Sequence, residues 1–348
     1  MAQSLTFERS PSSVADSLRL VSHDVPRPQN EEVLVKMLAT PINPLDILVL
    51  QNKYPVKAQH FEEGRPIPGF DGIAEVMKCG SNFKQLIAGD KFIVKRHGLG
   101  IWRTHACFST QDVLQIPGDM DPMAAALLRM GILMAFLMLK ENASVAQPGD
   151  WIIMNGATGV IAHFLGQFAH AQGLKVASVI RDRPAATAVA DTLRNHAADS
   201  VLTESELGST DKLQDRHIVL AFDAVFGPAG QSLASALSPG GVYISYGFMG
   251  GWDPSSNISI SQPLIVLRNI VFKAFRFSSA LAAVSDEHQR ALCIWILEML
   301  ATGSLTMPLI ETVTWSQREA AEEKLKDAVR RAISGEIGQQ KQVFVFTK

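Results

Sequence analysis

The 348 residues are 47% hydrophobic and 19% charged, with 32 Lys and Arg against 34 Asp and Glu for a formal charge of −2. This is the balance of a soluble globular protein long enough for two domains with ample core, and it leaves no basic excess for a polyanion such as nucleic acid. Three scattered cysteines, Cys79, Cys107 and Cys293, rule out a four-cysteine zinc lobe and argue against a disulfide framework.

The first residues show no charged segment followed by an apolar core, so a secretory signal is not expected. Residues 1–21 read instead as folded chain, with 5–9 and 17–20 as paired strands, and the cytosol is the expected compartment. Short β-type runs follow at 32–38, 72–78 and 91–95, punctuated by a Gly-Asp turn at 89–90 and by Gly98, Gly100, Pro117 and Gly118. Such a pattern predicts a β-rich, barrel-like domain over residues 1–122. The apolar run 123–139 is 17 residues long, contains Arg129 and has no second span beside it. It is therefore expected as a helix buried between domains, and no membrane partner is expected.

From there strands and helices alternate. Strands are expected at 151–154, 176–180, 199–202, 218–225, 241–246 and 270–275, and helices at 159–172, 185–196, 229–237 and 286–301. Alternation of this kind predicts an α/β fold with a doubly wound parallel sheet, spanning 123–305. After Pro308 the runs 310–314 and 342–346 are again β-like, with a charged helix over 316–333 between them. Residues 306–348 are accordingly expected to complete the first domain, so that the α/β domain is an insertion and a ligand cleft lies between the two.

The densest signal is the strand–turn–helix–strand at 151–184. Its turn holds Gly156 and Gly159 with Ala162 three residues on, a G-x-x-G-x-x-A pattern whose glycines let backbone approach a pyrophosphate at a helix N-terminus. Val160, Ile161, Phe164, Leu165, Phe168 and Ala169 form the expected buried stripe of the helix, and Gly173 is its expected end. At the end of the second strand a carboxylate would accept from both ribose hydroxyls and select NAD. Here Arg181 and Arg183 stand there, with Asp182 between them, a pair suited to a 2′-phosphate and hence to NADPH. Asn155 is expected to order the glycine turn, and nine histidines, among them His97, His105 and His163, show no metal-ligand spacing.

Several strings taken together resemble one family. They are Pro41-Ile-Asn-Pro-Leu-Asp46, Gln51-Asn-Lys-Tyr-Pro55, Pro68-Gly-Phe-Asp-Gly-Ile-Ala-Glu-Val76, Gly98-Leu-Gly-Ile-Trp-Arg-Thr104, Pro148-Gly-Asp-Trp151, Asn155-Gly-Ala157, Arg181-Asp-Arg-Pro184 and Tyr246-Gly-Phe-Met249. With this architecture the chain is similar to the medium-chain dehydrogenase/reductase superfamily, and within it to the zinc-independent 2-enoyl thioester reductase branch known from mitochondrial fatty acid synthesis. The resemblance implies a Rossmann sheet inserted into a GroES-like domain, a homodimer, a mitochondrial matrix location as an alternative to the cytosol, and no metal. It implies NADPH-dependent reduction of a trans-2-enoyl thioester on coenzyme A or an acyl carrier protein, with hydride passing to C3 and a proton to C2. Tyr54 matches the catalytic tyrosine. The nucleotide would be held by Asn155, Gly156, Ala157, Gly159, Ala162, Arg181, Arg183, Gly247 and Met249. Asn43, Trp102, Met134, Phe275, Arg276 and Phe277 would line the substrate pocket. A quinone or enone reductase of the same fold, or a non-catalytic NADPH-binding protein, are the alternatives.

The chain departs from the branch in places. Ala162-His163 stands where Gly-Gln is usual, Gly131-Ile-Leu-Met134 where Asn-Pro-x-Thr is common, and Arg276 where a tryptophan is frequent. Met134 removes a hydroxyl and adds apolar bulk, and Arg276 favours a more polar or differently shaped acyl chain.

Overall fold

Residues 1–8, 13–54, 56, 58–84, 86–209, 212–250, 256–316, 321–334 and 340–347 are described by the structure, a computed structural model. They divide into two units, Met1–Met130 with Asp286–Lys348, and Gly131–Ser285.

The spine of the first unit is the strand Glu32–Pro41, whose Val33, Val35 and Met37 are buried. It pairs antiparallel with Ile73–Cys79, His105–Ser109 and Lys341–Phe346. Lys91–Val94 and Val113–Ile116 extend the sheet on one side, and Ile310–Trp315 lies parallel to Lys341–Phe346 on the other. The last two strands thus return across nearly the whole chain to close this β-rich unit. Helix Ala321–Ser334 buries Leu325, Ala328 and Val329 against the same core as Phe92, Trp102, Phe108 and Phe344. Residues 317–320 of the expected helix 316–333 lie outside the described residues.

The N-terminal hairpin is shifted from its expected place. Ala2–Thr6 pairs with Arg19–His23, and Ala15–Ser17 is a 3₁₀ turn in which the Ser17 hydroxyl donates to the Val14 carbonyl at 2.7 Å. That turn takes up residue 17, so the second strand starts later; Arg9 lies outside the described residues.

Six strands make the sheet of the second unit: β1 Trp151–Met154, β2 Lys175–Ile180, β3 Ser200–Thr203, β4 Ile218–Asp223, β5 Val242–Ser245 and β6 Val271–Ala274. All pairs are parallel, in the order β3-β2-β1-β4-β5-β6. The order reverses between β1 and β4, and crevices at such reversals hold ligands at the carboxyl ends of the strands. β1 is buried throughout, so its side chains pack on both faces of the sheet. Helix Val160–Ala171 follows the glycine turn. It buries Ala162, Phe164, Leu165, Gly166, Phe168 and Ala169, whereas Val160 and Ile161, expected in the stripe, are only half-buried in its first turn. Gly166 is needed there, since a Cβ would lie 2.9 Å from that of Ala197. Gly173, at φ +75°, ends the segment as expected. β4 stops at Asp223, two residues short of the expected end, because the Asp223 carboxylate accepts the N–H groups of Val225 and Phe226 and turns the chain out of the ladder.

The apolar run forms one helical stretch, Pro122–Lys140, long and apolar enough to cross a membrane. Its most apolar window is 78% buried within the protein, which makes it a core helix. The stretch widens to a π-helix over Leu128–Leu133, and Asp71 Oδ2 accepts the Met130 N–H at 3.0 Å there.

Candidate functional site

In the second unit three loops meet at the carboxyl edge of the sheet, and Asp223 ties them together. The Asn155 side chain donates through Nδ2 to Asp223 Oδ1 (2.6 Å) and accepts through Oδ1 from the Ala224 N–H (2.7 Å). Asp223 Oδ1 also accepts from the backbone of Val225 (2.8 Å) and Phe226 (2.9 Å), and its Oδ2 accepts from the Tyr243 hydroxyl. The Asp223 carbonyl takes the Tyr246 N–H, and the Ala224 carbonyl takes that of Met249. Asp223 is fully buried, with its oxygens engaged by protein donors. Its neighbourhood also pushes the titration of Tyr243 upward, through burial first and the adjacent carboxylate second.

The expected cofactor residues gather on this edge. Gly156, at φ +58°, turns the chain in the left-handed region, and a Cβ on it would sit 3.1 Å from that of Ala224 and 3.6 Å from Met249 Sδ. Gly159 precedes the helix and donates its N–H to the Gly156 carbonyl at 2.8 Å. A Cβ on Gly247 would meet the Ala224 carbonyl at 2.9 Å. Ala157 and Ala162 are buried, and Met249 is 54% exposed. Positions closed to side chains leave backbone at the surface of the edge, which is the cradle a pyrophosphate needs.

At the end of β2, Arg181 is exposed and Arg183 half-buried. Neither has a salt bridge among the described residues, and Arg183 Nε is buried without a hydrogen-bond partner. Burial, and then the neighbouring Arg181 charge, lower the Arg183 pKa. Two guanidiniums that repel each other and make no salt bridge among the described residues fit a dianionic group, although the Glu204 carboxylate acts on Arg181 from a distance.

In the first unit the helix Pro44–Leu50 carries one expected site residue at each end. Asn43 precedes it, and its N–H donates to Asp46 Oδ2 at 2.7 Å. Asn52, at φ +55°, ends it, and Tyr54 follows, half-buried against the core. Pro55 of the Tyr-Pro string lies outside the described residues. Lys341 Nζ donates to Asn43 Oδ1 at 2.7 Å and to the Ile42 carbonyl at 2.6 Å. Asp46 and Asp71 are both buried. Burial raises their pKa values, that of Asp71 to about 6 against the pull of the Arg129 charge, and burial lowers that of Lys341.

The remaining expected pocket residues are dispersed. Trp102 is 0% exposed and packs edge-on against Phe344, inside the core of the first unit. Met134, Phe275 and Phe277 are buried in the second unit, and Arg276 is exposed between the two phenylalanines. Sequence reading missed Asp223 and Lys341. A carboxylate ending the apolar run Ile-Val-Leu-Ala-Phe was a visible signal for the first; the second carried none. Among the described residues no group of three or more His, Cys, Asp or Glu side chains is placed to hold a metal ion.

The alcohol dehydrogenase GroES-like domain family matches residues 29–149. The human mitochondrial enoyl-[acyl-carrier-protein] reductase is 31% identical over 300 residues, covering 84% of this chain and 77% of that protein. An NADPH quinone oxidoreductase of Kluyveromyces marxianus is 27% identical over 352 residues, covering 96% and 91%. Among solved structures, the complex of Etr1p with NADP and crotonyl-CoA superposes with a TM-score of 0.84 at 26% identity, covering 99% of each chain. The heterodimer of the 2-enoyl thioester reductases Etr1p and Etr2p from Candida tropicalis gives the same values.

Proposed function

This chain belongs to the zinc-independent enoyl thioester reductases of the medium-chain dehydrogenase/reductase superfamily, and from that we propose that it uses NADPH to reduce the 2,3-double bond of a trans-2-enoyl thioester. The likeness to a relative solved with NADP and crotonyl-CoA carries this reading. On the chain itself it is supported by the glycine turn and by two arginines that make no salt bridge among the described residues.

NADPH, when bound, supplies the hydride that C3 receives. The chain's own residues do the rest. Arg181 and Arg183 would pair with the nucleotide's 2′-phosphate, and the backbone of Gly156, Ala157 and Gly159 would hold its pyrophosphate. As C3 gains the hydride, charge moves through the conjugated system to the thioester oxygen. The Tyr54 phenol would donate a hydrogen bond to that oxygen while C2 takes up a proton from solvent.

The Kluyveromyces relative favours quinone reduction as a second reading. Oxidation of NADPH measured beside crotonyl-CoA and beside a simple quinone separates the two. Turnover of the quinone alone would overturn the enoyl reading, and NADPH binding without turnover of either would leave a binding protein.

Coenzyme A and an acyl carrier protein both remain carriers in this proposal, since the relatives are named for one or solved with the other. A homodimer is supported by the edge strand β6, beside which Val266 and Leu267 are 66% and 79% exposed. A monomer in equilibrium sedimentation would sink it. The relatives are mitochondrial by name, which supports the matrix over the expected cytosol.

A further inference from the structure

We infer that Asn43 is a second hydrogen-bond donor to the thioester oxygen, and that Lys341 is the positioning residue that aims its amide. This rests on the enoyl thioester reading above.

An ammonium has only donors, so the side chain of Asn43 must turn its oxygen, not its nitrogen, toward Lys341. The observed bond from Lys341 Nζ to Asn43 Oδ1 at 2.7 Å does this, and the second bond to the Ile42 carbonyl fixes the ammonium itself. The sheet brings the pair together. Lys341–Phe346 runs antiparallel to Glu32–Pro41 with Val343 opposite Pro41, and the Ile42 N–H donates to the Gln342 carbonyl at 3.0 Å.

With its oxygen committed, Asn43 is left with Nδ2, an atom shielded from solvent that has no hydrogen-bond partner among the described residues. Such a donor is expensive to leave unmade and complements an acceptor. An enoyl thioester has one strong acceptor, its carbonyl oxygen, and this is the atom that gains charge as hydride reaches C3. The ammonium behind the amide polarises Nδ2–H toward it. The groups that act electrostatically on Lys341 are Asp46 on the helix and Asp71 on the loop before Ile73–Cys79, both raising its pKa against burial, while Arg129 acts on Asp71. Asn43 and Tyr54 bracket a single seven-residue helix, so one short segment presents both donors.

The test uses the full-length enzyme with NADPH and crotonyl-CoA. Asn43→Asp keeps an acceptor for Lys341 but has no Nδ2–H. Its kcat should fall by roughly 30-fold or more with KM changed less than about threefold, while NADPH affinity and melting temperature stay near wild type. Lys341→Met should lower kcat similarly, because the amide is free to flip, and Lys341→Arg should restore most of it. A guanidinium stays protonated, so the alkaline limb of the kcat profile should also move upward in Lys341→Arg. Wild-type kcat in Asn43→Asp would overturn the inference. If that variant does not fold, Lys341→Met decides: full kcat at a lowered melting temperature means a structural lysine only. Failure of the wild-type protein to reduce crotonyl-CoA would instead refute the functional reading itself.

Discussion

Ser205 holds Asp182 through two bonds to its carboxylate, from the backbone N–H at 3.1 Å and from the hydroxyl at 2.5 Å. The hydroxyl bond leads in keeping the Asp182 carboxyl below its ordinary range. The acid between the two arginines is thereby turned to the start of helix Glu204–Leu207 and does not pair with either guanidinium. Asp182 is thus engaged by Ser205 and makes no salt bridge with Arg181 or Arg183 among the described residues.

Arg181→Ala should raise the dissociation constant for NADPH by roughly tenfold or more and leave that for NADH nearly unchanged. Fluorescence titration with both nucleotides checks this. Equal losses for the two would remove the 2′-phosphate role.

Tyr54→Phe retains the ring that packs on the core and removes only the hydroxyl. The kcat for crotonyl-CoA should fall by about 10²-fold, at unchanged NADPH affinity and a melting temperature within a few degrees. Undiminished turnover would dismiss the phenol from the chemistry.

At Gly156 the left-handed backbone and the closeness of Ala224 act together. Gly156→Ala should destabilise the protein by about 1–2 kcal/mol in urea unfolding and weaken NADPH binding, since the cradle must open to admit the methyl. Gly64, also at positive φ but with nothing near its missing Cβ, is the control. Gly64→Ala should show the strain without the loss of nucleotide. Comparable loss of NADPH in both variants would show that close approach at Gly156 is unimportant.

His97 carries a pH dependence. Burial, and then the Arg129 charge, push its pKa from 6.5 down to about 3. The folded value lies below the unfolded one, so between the two the unfolded chain binds more protons. The stability this represents is complete above pH 6.5 and is lost as pH falls toward 3. His97→Gln should therefore lose less stability between pH 7 and pH 5 than wild type, by about 1–2 kcal/mol. Asp71, raised to about 6, works in the opposite sense in both proteins and cancels in the comparison. Parallel pH curves would show that His97 is protonated in the folded state.

The strands of the second unit were legible because β1 and β4 are short apolar runs and β2 is interrupted only by Ser178 after its first residue, which is how a strand buried on both faces reads. The glycine turn and the end of β2, where Gly156, Gly159, Arg181 and Arg183 stand, could be placed from sequence for a related reason, since the pattern lies in adjacent residues. Tyr54 was not readable from its surroundings; only resemblance to a family singled it out. Lys341 stands 298 residues from Asn43, and no local pattern encodes a bond made by the return of a C-terminal strand. The π-helix at Leu128–Leu133 was hidden likewise, since the partner for its Met130 N–H, Asp71, is 59 residues away. Trp102 is a different case. Its place in a family string suggested a pocket, while its size and the need to fill the β-rich core decided its position.

Phe226 adopts φ +71°, an unfavourable angle for a large side chain, and Asp223 Oδ1 holds its N–H at 2.9 Å. Among the described residues Asn155, Val225, Phe226 and Tyr243 donate to the Asp223 carboxylate, so protein bonds tie the edge of the sheet together. On the proposed reading NADPH would find this edge already ordered, and its binding energy would not be spent on fixing backbone, which would cost about 1–2 kcal/mol for each residue. Release is equally simple. The oxidised nucleotide can leave and be replaced without that edge having to melt and reform in each catalytic cycle.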